Sequence, residues 1–559
     1  MPALVTRDAV GRGLQAVNTG RLEEGLRTLS REARNDRLNG DAQHAYGLGL
    51  LAAERFQEAI AQFLRADRLK PDRWQVQQNL SAAYHGLRDY DAAYRTATRS
   101  LELNPDNFAM LYHLGDLHLI WGEMVEANAY YERALAINPR HADTWMGKLF
   151  ALDLIPGVTG GQALAERQRY ANAIEQPISR YRLPHRQSRE PDRQLRVGFI
   201  SGDFRDHTAG YMFGPLYEHL DRDQFLVFSY SSVAPEDADS ITRWLQSASN
   251  GWRQIVGCST QQVVQAIRAD EIDILVDTAG FTNGGHLPVF CAKPAPLQVQ
   301  AWGYLTGSGL DAMDAILVDD VLVPPEHEHH FSERLVRVPY ALGFAINGDV
   351  PIIERPEGRP LTFGHLGRSD KVSRDAVRLW ARVLHAHPES RMLLKDRGFR
   401  MARTQTRIED WFAEEGVGLD RLDIRGPTPR GEHLATYREV DLVLDSVPQG
   451  GGTTTIEALH MGTPVVTMLG PRIIGRIAAT TLHAVGHDEW IAANEDEYVQ
   501  KAAFFAHAGG PHLRDEIVSS VVFDSKARTR AFEAALRELW RNWCRRQSTA
   551  ASHTKADKK

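Results

Sequence analysis

Three glycines run directly into three threonines in VPQGGGTTTIEALHMGTPVV, residues 447–466. The apolar run DLVLDS ends just before them, and the threonines open a helix-like stretch that carries Glu457. A loop made of Gly450, Gly451 and Gly452 lets backbone approach a ligand closely. The free N–H groups of a helix start attract phosphate. The hydroxyls of Thr453 and Thr454 add donors, so the segment has the chemistry of a phosphate cradle. The same residues also fit a glycine-rich connection ending in a threonine N-cap. Neither GKS/T nor GxGxxG is present, which sets aside a Walker loop and a dinucleotide fingerprint.

Other residues could act with this loop. Lys371, in GHLGRSDKVSRD, follows a predicted strand. It can balance a diphosphate, or it is an ordinary exposed lysine near a helix start. His433, in RGPTPRGEHLATY, is a platform for a base or a surface histidine. His207, in FISGDFRDHTAGY, can accept a proton or hold an acceptor, or it is a plain loop residue. Asp221-Arg222-Asp223 and Asp237-Ala238-Asp239 match a loose metal-binding D-x-D pattern, but their polar surroundings favour capping. The run Glu326-His327-Glu328-His329-His330 has metal-ligand residue types, yet adjacent residues rarely converge on one ion, and a solvated loop is expected. No G-x-S-x-G, H-E-x-x-H or C-x-x-C occurs.

These residues need elements to hold them, and the first third of the chain supplies a repeat. Pro71, Pro105 and Pro139 are 34 residues apart. Ala59, Ala93 and Ala127 precede them in register, as do Gly47, Ser81 and Gly115, and Ala66, Ser100 and Ala134. Small residues mark close helix crossings, aromatics such as Phe63 and Tyr131 fill gaps, and proline stops the second helix. This is the pattern of tetratricopeptide helix pairs, with a worn copy around Gly13, Gly25 and Leu29 and a partial helix, ADTWMGKLFALDL, at the end. Such a solenoid presents a groove for protein or peptide. From Leu195, apolar runs alternate with helical stretches in two series, LRVGFIS to RLVRVPY and LTFGHLG to PVVTML. That alternation predicts two parallel sheets covered on both faces, with ligands at the carboxyl ends of strands.

The expected organisation is α plus α/β: a repeat solenoid over 1–156, a linker helix and loop over 157–194, Rossmann-like domains over 195–345 and 346–524, a helix over 525–547 and a disordered tail over 548–559. Phe532, Leu536, Leu539 and Trp540 fall on one face of the last helix.

A chain of 559 residues with 43% hydrophobic and 25% charged residues is an ordinary globular composition, not a disordered one. No apolar run approaches the length of a membrane span, and the N-terminus does not read as a signal peptide. Three scattered cysteines exclude a disulfide framework or a cysteine zinc site and suggest a cytoplasmic location. A net charge of -7 argues against bulk binding to nucleic acid or anionic membrane.

Together the 34-residue repeats, LRVGFISGDFRDH, GFTNGG, KPAPLQVQAWGYLTGSG, Lys371, TPRGEH and GGTTTIEALHMGTPVVTM resemble the O-GlcNAc transferase family, most closely its compact bacterial members. The resemblance covers nearly the whole chain. It implies a GT-B pair of Rossmann-like halves behind a tetratricopeptide arm. It also implies inverting transfer of N-acetylglucosamine from UDP-GlcNAc to Ser or Thr of proteins, with no cofactor and no metal. UDP-sugar and protein acceptors are the implied partners, with no nucleic acid or membrane, and no oligomeric state is set. By the same resemblance His207 matches a histidine important for activity and Lys371 the lysine on the diphosphate. Gly451, Gly452, Thr453 and Thr454 match the phosphate-binding loop and helix start. Glu457 stands at the ribose and His433 on the uracil. Thr428 and Arg430 lie in the uridine loop, and Gly303 and Tyr304 at the turn near the sugar. Gly452 stands where animal enzymes have a histidine, Arg430 replaces a lysine, and Arg368 replaces a glutamine. The hairpin Ile155–Gln162 lacks the histidine that animal enzymes carry there. These departures leave two alternatives: a repeat scaffold that binds UDP-sugar with little or no turnover, or the same fold with GDP-fucose, UDP-glucose or a non-protein acceptor.

Overall fold

The structure is a computed structural model that describes residues 2–282, 284–343, 358–506 and 508–556. The expected boundary at 345/346 lies outside the described residues. The chain forms two compact units, 1–139 and 140–559.

The first unit is helical: α1 (Pro2–Asn18), α2 (Leu22–Asn35), α3 (Gly40–Ala52), α4 (Phe56–Leu69), α5 (Trp74–Gly86), α6 (Tyr90–Leu103), α7 (Phe108–Trp121) and α8 (Met124–Ile137). Each of the three marker prolines follows a helix end by two residues, which is where proline costs the helix nothing. The small-residue column works by matched volume. At Gly47 and Gly115 a Cβ would come within 2.5 Å of the Phe63 and Tyr131 rings, both fully buried. In the middle repeat Ser81 takes the glycine's place, Ala97 takes the aromatic's, and the Ser81 hydroxyl donates to the Ala93 carbonyl at 2.8 Å. The worn copy is real: a Cβ on Gly13 would meet Leu29 at 2.8 Å, so α1 and α2 cross closely there.

The second unit begins with α9 (Ala142–Leu154) and α10 (Gly160–Tyr170). The sequence assigned α9 to the repeats and α10 to a linker; both are instead built into the second unit. The cause is a buried ion network. Asp153, 2% exposed, accepts from Arg167 Nη2 at 2.6 Å, from Arg472 Nη1 at 3.2 Å and from the Tyr304 hydroxyl at 3.0 Å. Arg472 Nη2 also donates to the Asp153 carbonyl at 2.8 Å, and Arg167 Nε to the Gly307 carbonyl at 3.0 Å.

Two all-parallel sheets follow. The first holds β1 (Leu195–Ser201), β2 (Phe225–Ser231), β3 (Gly251–Gln254), β4 (Ile274–Asp277), β5 (Leu297–Gln300), β6 (Ala315–Val318) and β7 (Arg334–Arg337), in the order β3-β2-β1-β4-β5-β6-β7. The second holds β8 (Thr362–His365), β9 (Arg391–Lys395), β10 (Leu422–Arg425), β11 (Leu442–Leu444), β12 (Val465–Met468) and β13 (Ile491–Ala492), in the order β10-β9-β8-β11-β12-β13. Both are doubly wound, and both reverse direction beside their first strand, between β1 and β4 and between β8 and β11. The C-terminal helix Ser525–Ala556 packs back on the first half: Phe532 meets Trp302 with ring centroids 4.9 Å apart, and Trp540 Nε1 donates to the Glu190 carbonyl at 3.1 Å. Its helical backbone runs to Ala556, past the expected end at 547 and into the segment expected as a disordered tail; residues 557–559 lie outside the described residues.

Gly115→Ala should destabilise the α7–α8 pair by about 1–3 kcal/mol, because the Tyr131 ring has nowhere to go. The effect should appear as faster amide hydrogen exchange across both helices. Asp153→Leu leaves two guanidiniums buried without their carboxylate and should cost about 3–5 kcal/mol, measured as a lower denaturation midpoint of the second unit.

Candidate functional site

Residues at the two reversal points of the sheets include most of those singled out by sequence, as expected for ligand binding in doubly wound folds. After β1 the chain passes through Gly202 and Asp203 to His207, which precedes the helix Thr208–His219. The Ala209 N–H donates to His207 Nδ1 at 3.3 Å, and Asp203 Oδ1 lies 3.3 Å from the same nitrogen. The surrounding protein lowers the imidazole pKa. The Asp203 carboxylate opposes that, and Arg205, Arg397 and Arg368 push it down further. Burial raises the Asp203 carboxyl in turn. After β4, Asp277 pins the GFTNGG loop by accepting from the Ala279 and Gly280 N–H groups, both at 3.1 Å. After β5 the backbone at Gly303 has φ +25°, and a side chain there would overlap the Thr278 carbonyl oxygen. Tyr304 is buried, with its hydroxyl on Asp153 and its ring on Phe150, so it offers the site its backbone and not its phenol.

In the second half, the turn after β8 carries Arg368 and Lys371. Lys371 Nζ donates to the Gly450 carbonyl at 2.9 Å. Burial pushes its pKa down to about 8; Arg368 adds to this, and Asp445 and Asp370 oppose it. Beneath the glycine loop, Asp445 accepts from the Gly451 N–H at 2.7 Å and the Thr467 hydroxyl at 2.6 Å. Burial raises its pKa despite those bonds and the nearby Lys371. The Gly450 N–H donates to the Ile474 carbonyl at 2.9 Å. The helix Thr453–His460 starts here, with Gly452 at its N-cap and no side-chain cap. Among the described residues the buried Thr453 hydroxyl has no partner. A threonine N-cap, one of the two readings of this segment, is therefore not what the threonines form.

Arg430 and His433 converge on Glu457 of the same helix. Arg430 Nη1 donates to Glu457 Oε1 at 2.9 Å, and His433 Nε2 lies 3.7 Å from Glu457 Oε2. The Arg430 guanidinium also sits over the Tyr211 ring of the first half, 5.0 Å from its centroid, and among the described residues its Nε and Nη2 have no hydrogen-bond partner. Thr428 accepts from Lys395 Nζ at 2.9 Å.

Lys371, Gly451, Gly452, Thr453 and Thr454 thus form one group, and Arg430, His433 and Glu457 a second, joined by the Thr453–His460 helix, with Thr428 held by Lys395 at the entry to the Arg430 segment. His207 bonds to neither and has Asp203 instead. Asp203, Asp445 and Lys395 were missed. Asp203 had a signal in its place four residues before His207, and Asp445 in its place at a strand's carboxyl end. Asp239 caps the helix Ser240–Ala248, accepting from the Thr242 N–H at 2.9 Å, whereas Asp221 closes the turn before β2, accepting from the Asp223 N–H at 3.0 Å. Residues 325–330 form a solvent-facing 3-10 turn with no buried residue. Among the described residues no group of three or more His, Cys, Asp or Glu could hold a metal ion, and no helix is long and apolar enough to cross a membrane.

A helical repeat followed by two Rossmann-like halves, with a glycine loop and lysine at one reversal point, defines a GT-B type chain. The glycosyl transferase family 41 pattern matches residues 172–349 and 360–533, and tetratricopeptide repeat patterns match 10–73 and 83–142. The chain belongs to glycosyl transferase family 41. It is 29% identical over 430 residues to the tomato (Solanum lycopersicum) protein named probable UDP-N-acetylglucosamine–peptide N-acetylglucosaminyltransferase SPINDLY, covering 73% of this chain and 45% of that protein. It is 31% identical over 372 residues to the barley (Hordeum vulgare) protein of the same name, covering 64% and 39%. The chain thus spans less than half the length of these relatives. A mutant of the Thermobaculum terrenum O-GlcNAc transferase superposes with a TM-score of 0.82 at 27% identity, covering 91% of this chain and 99% of that one.

Proposed function

We propose that this chain is an inverting glycosyltransferase. It moves N-acetylglucosamine from UDP-GlcNAc to Ser or Thr hydroxyls of proteins, without a metal ion, in the cytoplasm, and the repeat unit binds the acceptor protein. The observation that carries this reading is Lys371 placed on the Gly450 carbonyl beside a helix start whose Thr453 hydroxyl has no partner. The names of the relatives point to the same donor.

The leaving group is a nucleoside diphosphate, so negative charge grows on it as the bond to the sugar breaks. Lys371 and the N–H groups of the Thr453–His460 helix stabilise that charge, which is the electrostatic work a metal does in other enzymes. Glu457 takes the ribose hydroxyls and His433 the base, with Arg430 between the halves. The acceptor oxygen forms its bond to the anomeric carbon as the carbon–oxygen bond to the diphosphate breaks. The bonding pair leaves with UDP, and a single displacement inverts configuration. The proton passes from the acceptor hydroxyl to His207 Nε2 in the neutral tautomer that carries its hydrogen on Nδ1, with that N–H turned from the Ala209 amide to the Asp203 carboxylate 3.3 Å away, which stabilises the charge that results.

The Lys371 shift gives a pH signature. Only the ammonium attracts diphosphate, so UDP affinity should hold at neutral pH and fall as pH rises through about 8, by up to about tenfold per pH unit. Calorimetric titration of UDP at increasing pH tests this. Lys371→Met should remove the slope and abolish transfer, and an unchanged slope in that variant would remove Lys371 from the site.

A thermal-shift panel in EDTA tests the donor. A ligand at a hundred times its Kd stabilises by about 2.7 kcal/mol, so UDP-GlcNAc should give the largest rise in melting temperature, with EDTA making no difference. A larger rise with GDP-fucose or UDP-glucose would change the donor. Binding without sugar transfer to any protein of a lysate would leave a scaffold.

A further inference from the structure

Lys395 is the last residue of β9 and is only 2% exposed. Among the described residues its ammonium bonds only to hydroxyls: Thr428 Oγ1 at 2.9 Å and Thr436 Oγ1 at 2.7 Å. A buried ammonium without a carboxylate partner is costly, and two neutral hydroxyls offset that cost poorly. Burial, with Arg425 adding to it, lowers its pKa, while Glu439 and Glu432 oppose the shift. The carboxylates of Asp423 and Glu439 are already paired with Arg425. A methionine would fill the same space at less cost if packing were the only requirement.

The two hydroxyls are not arbitrary. Thr428 and Thr436 bracket the segment that carries Arg430 and His433, the two side chains that meet Glu457. Thr436 closes the short helix Arg430–Ala435, its own hydroxyl donating to the Glu432 carbonyl at 2.9 Å. A cation there also suits the negative end of that helix. One ammonium therefore ties the loop entering the segment to the turn leaving it, from below.

We propose that Lys395 is the positioning residue for the nucleoside half of the donor site: its ammonium clamps both ends of residues 428–436 and so fixes Arg430 and His433 against Glu457. This rests on the reading of the cleft as a UDP-sugar site. Lys395 makes no bond to the glycine loop, so the clamp acts on the nucleoside and leaves the diphosphate to Lys371.

The test separates the two halves of the ligand. UDP and inorganic pyrophosphate are titrated into the full chain, into Lys395→Met, into Lys395→Arg and into Lys371→Met. The clamp predicts that Lys395→Met raises the Kd for UDP about tenfold or more and leaves that for pyrophosphate within about twofold. Lys395→Arg should recover most of the UDP affinity, and Lys371→Met should weaken both ligands. In turnover, Lys395→Met should raise KM for the donor far more than it lowers kcat. Unchanged UDP affinity in folded Lys395→Met, or equal weakening of UDP and pyrophosphate, would overturn the proposal. If Lys395→Met does not fold, Thr436→Val is titrated in its place, since it removes one clamped hydroxyl and lies outside the donor contacts. Selective loss of UDP affinity in that variant supports the clamp, and unchanged or equally weakened binding of the two ligands overturns it. A native chain that binds no UDP would overturn the donor reading itself, and the clamp with it, a result distinct from any failure confined to the variants.

Discussion

One carboxylate sets the geometry of the second unit. Asp153 accepts from two guanidiniums and a phenol that come from α10, from the loop after β5 and from the loop after β12. Arg472 then hands the anchor on. The Gly475 N–H donates to the Arg472 carbonyl, Ile474 accepts from the Gly450 N–H, and the Gly450 carbonyl holds Lys371. On the other side, Tyr304 is the neighbour of Gly303, whose backbone is fixed against Thr278. The loops after β5, β8, β11 and β12 are thus referenced to a single buried side chain. Burying this much charge is a weak source of stability, and its value lies in specificity of arrangement. A hydrophobic replacement would not say which loop belongs opposite which.

The same economy of charge shapes the cleft. The chain as a whole is acidic, yet Lys371, Arg368, Arg397 and Arg430 gather where the halves face each other. Holding cations together has a cost, and the lowered pKa of Lys371, driven first by burial and then by Arg368, reflects it. A diphosphate would relieve it. Asp445, buried under the loop, softens the repulsion without reaching the position a ligand would take, because both its oxygens are committed to Gly451 and Thr467.

Much of this was legible in the sequence, and the reason is periodicity. The 34-residue register placed the helix pairs, and every strand except β3 and β13 announced itself as an apolar run. Those two are edges: GWRQ is partly exposed and β13 has two residues. The other two edges, β7 and β10, still carry an apolar run, so what hid β3 and β13 is the polar make-up of GWRQ and the two-residue length of β13. What could not be read were partnerships across distance. Asp153 and Arg472 are 319 residues apart in the chain, and nothing local marks either. For that reason α9 and α10 read as the end of a solenoid and a linker, although Asp153 of α9 binds Arg167 of α10 and the loops after β5 and β12. Lys395 escaped for a similar reason: a lysine ending a strand looks like the last polar residue before a turn.

The glycine loop shows how structure divides a motif that sequence treats as one. A Cβ on Gly450 would press on Asp445 Oδ2 at 2.8 Å, and one on Gly451 would meet Thr454 Oγ1 at 2.6 Å and Thr455 Oγ1 at 2.8 Å. Those two glycines are demanded by the fold, since the buried carboxylate and the helix start close on them. Gly452 is different. A Cβ there would touch only Ile477 at 3.4 Å and Met212 at 3.9 Å, both ordinary contacts, and its backbone is not in the left-handed region. Nothing in the packing forbids a side chain at the N-cap, where serine, threonine, aspartate or asparagine would stabilise the helix. Leaving the cap bare keeps the first N–H groups of the Thr453–His460 helix uncommitted, and the unpartnered Thr453 hydroxyl beside them is uncommitted too. A structural loop would gain from filling that position, whereas a site for an anion gains from leaving it open. Gly452 is therefore the one glycine of the three whose place the packing does not explain.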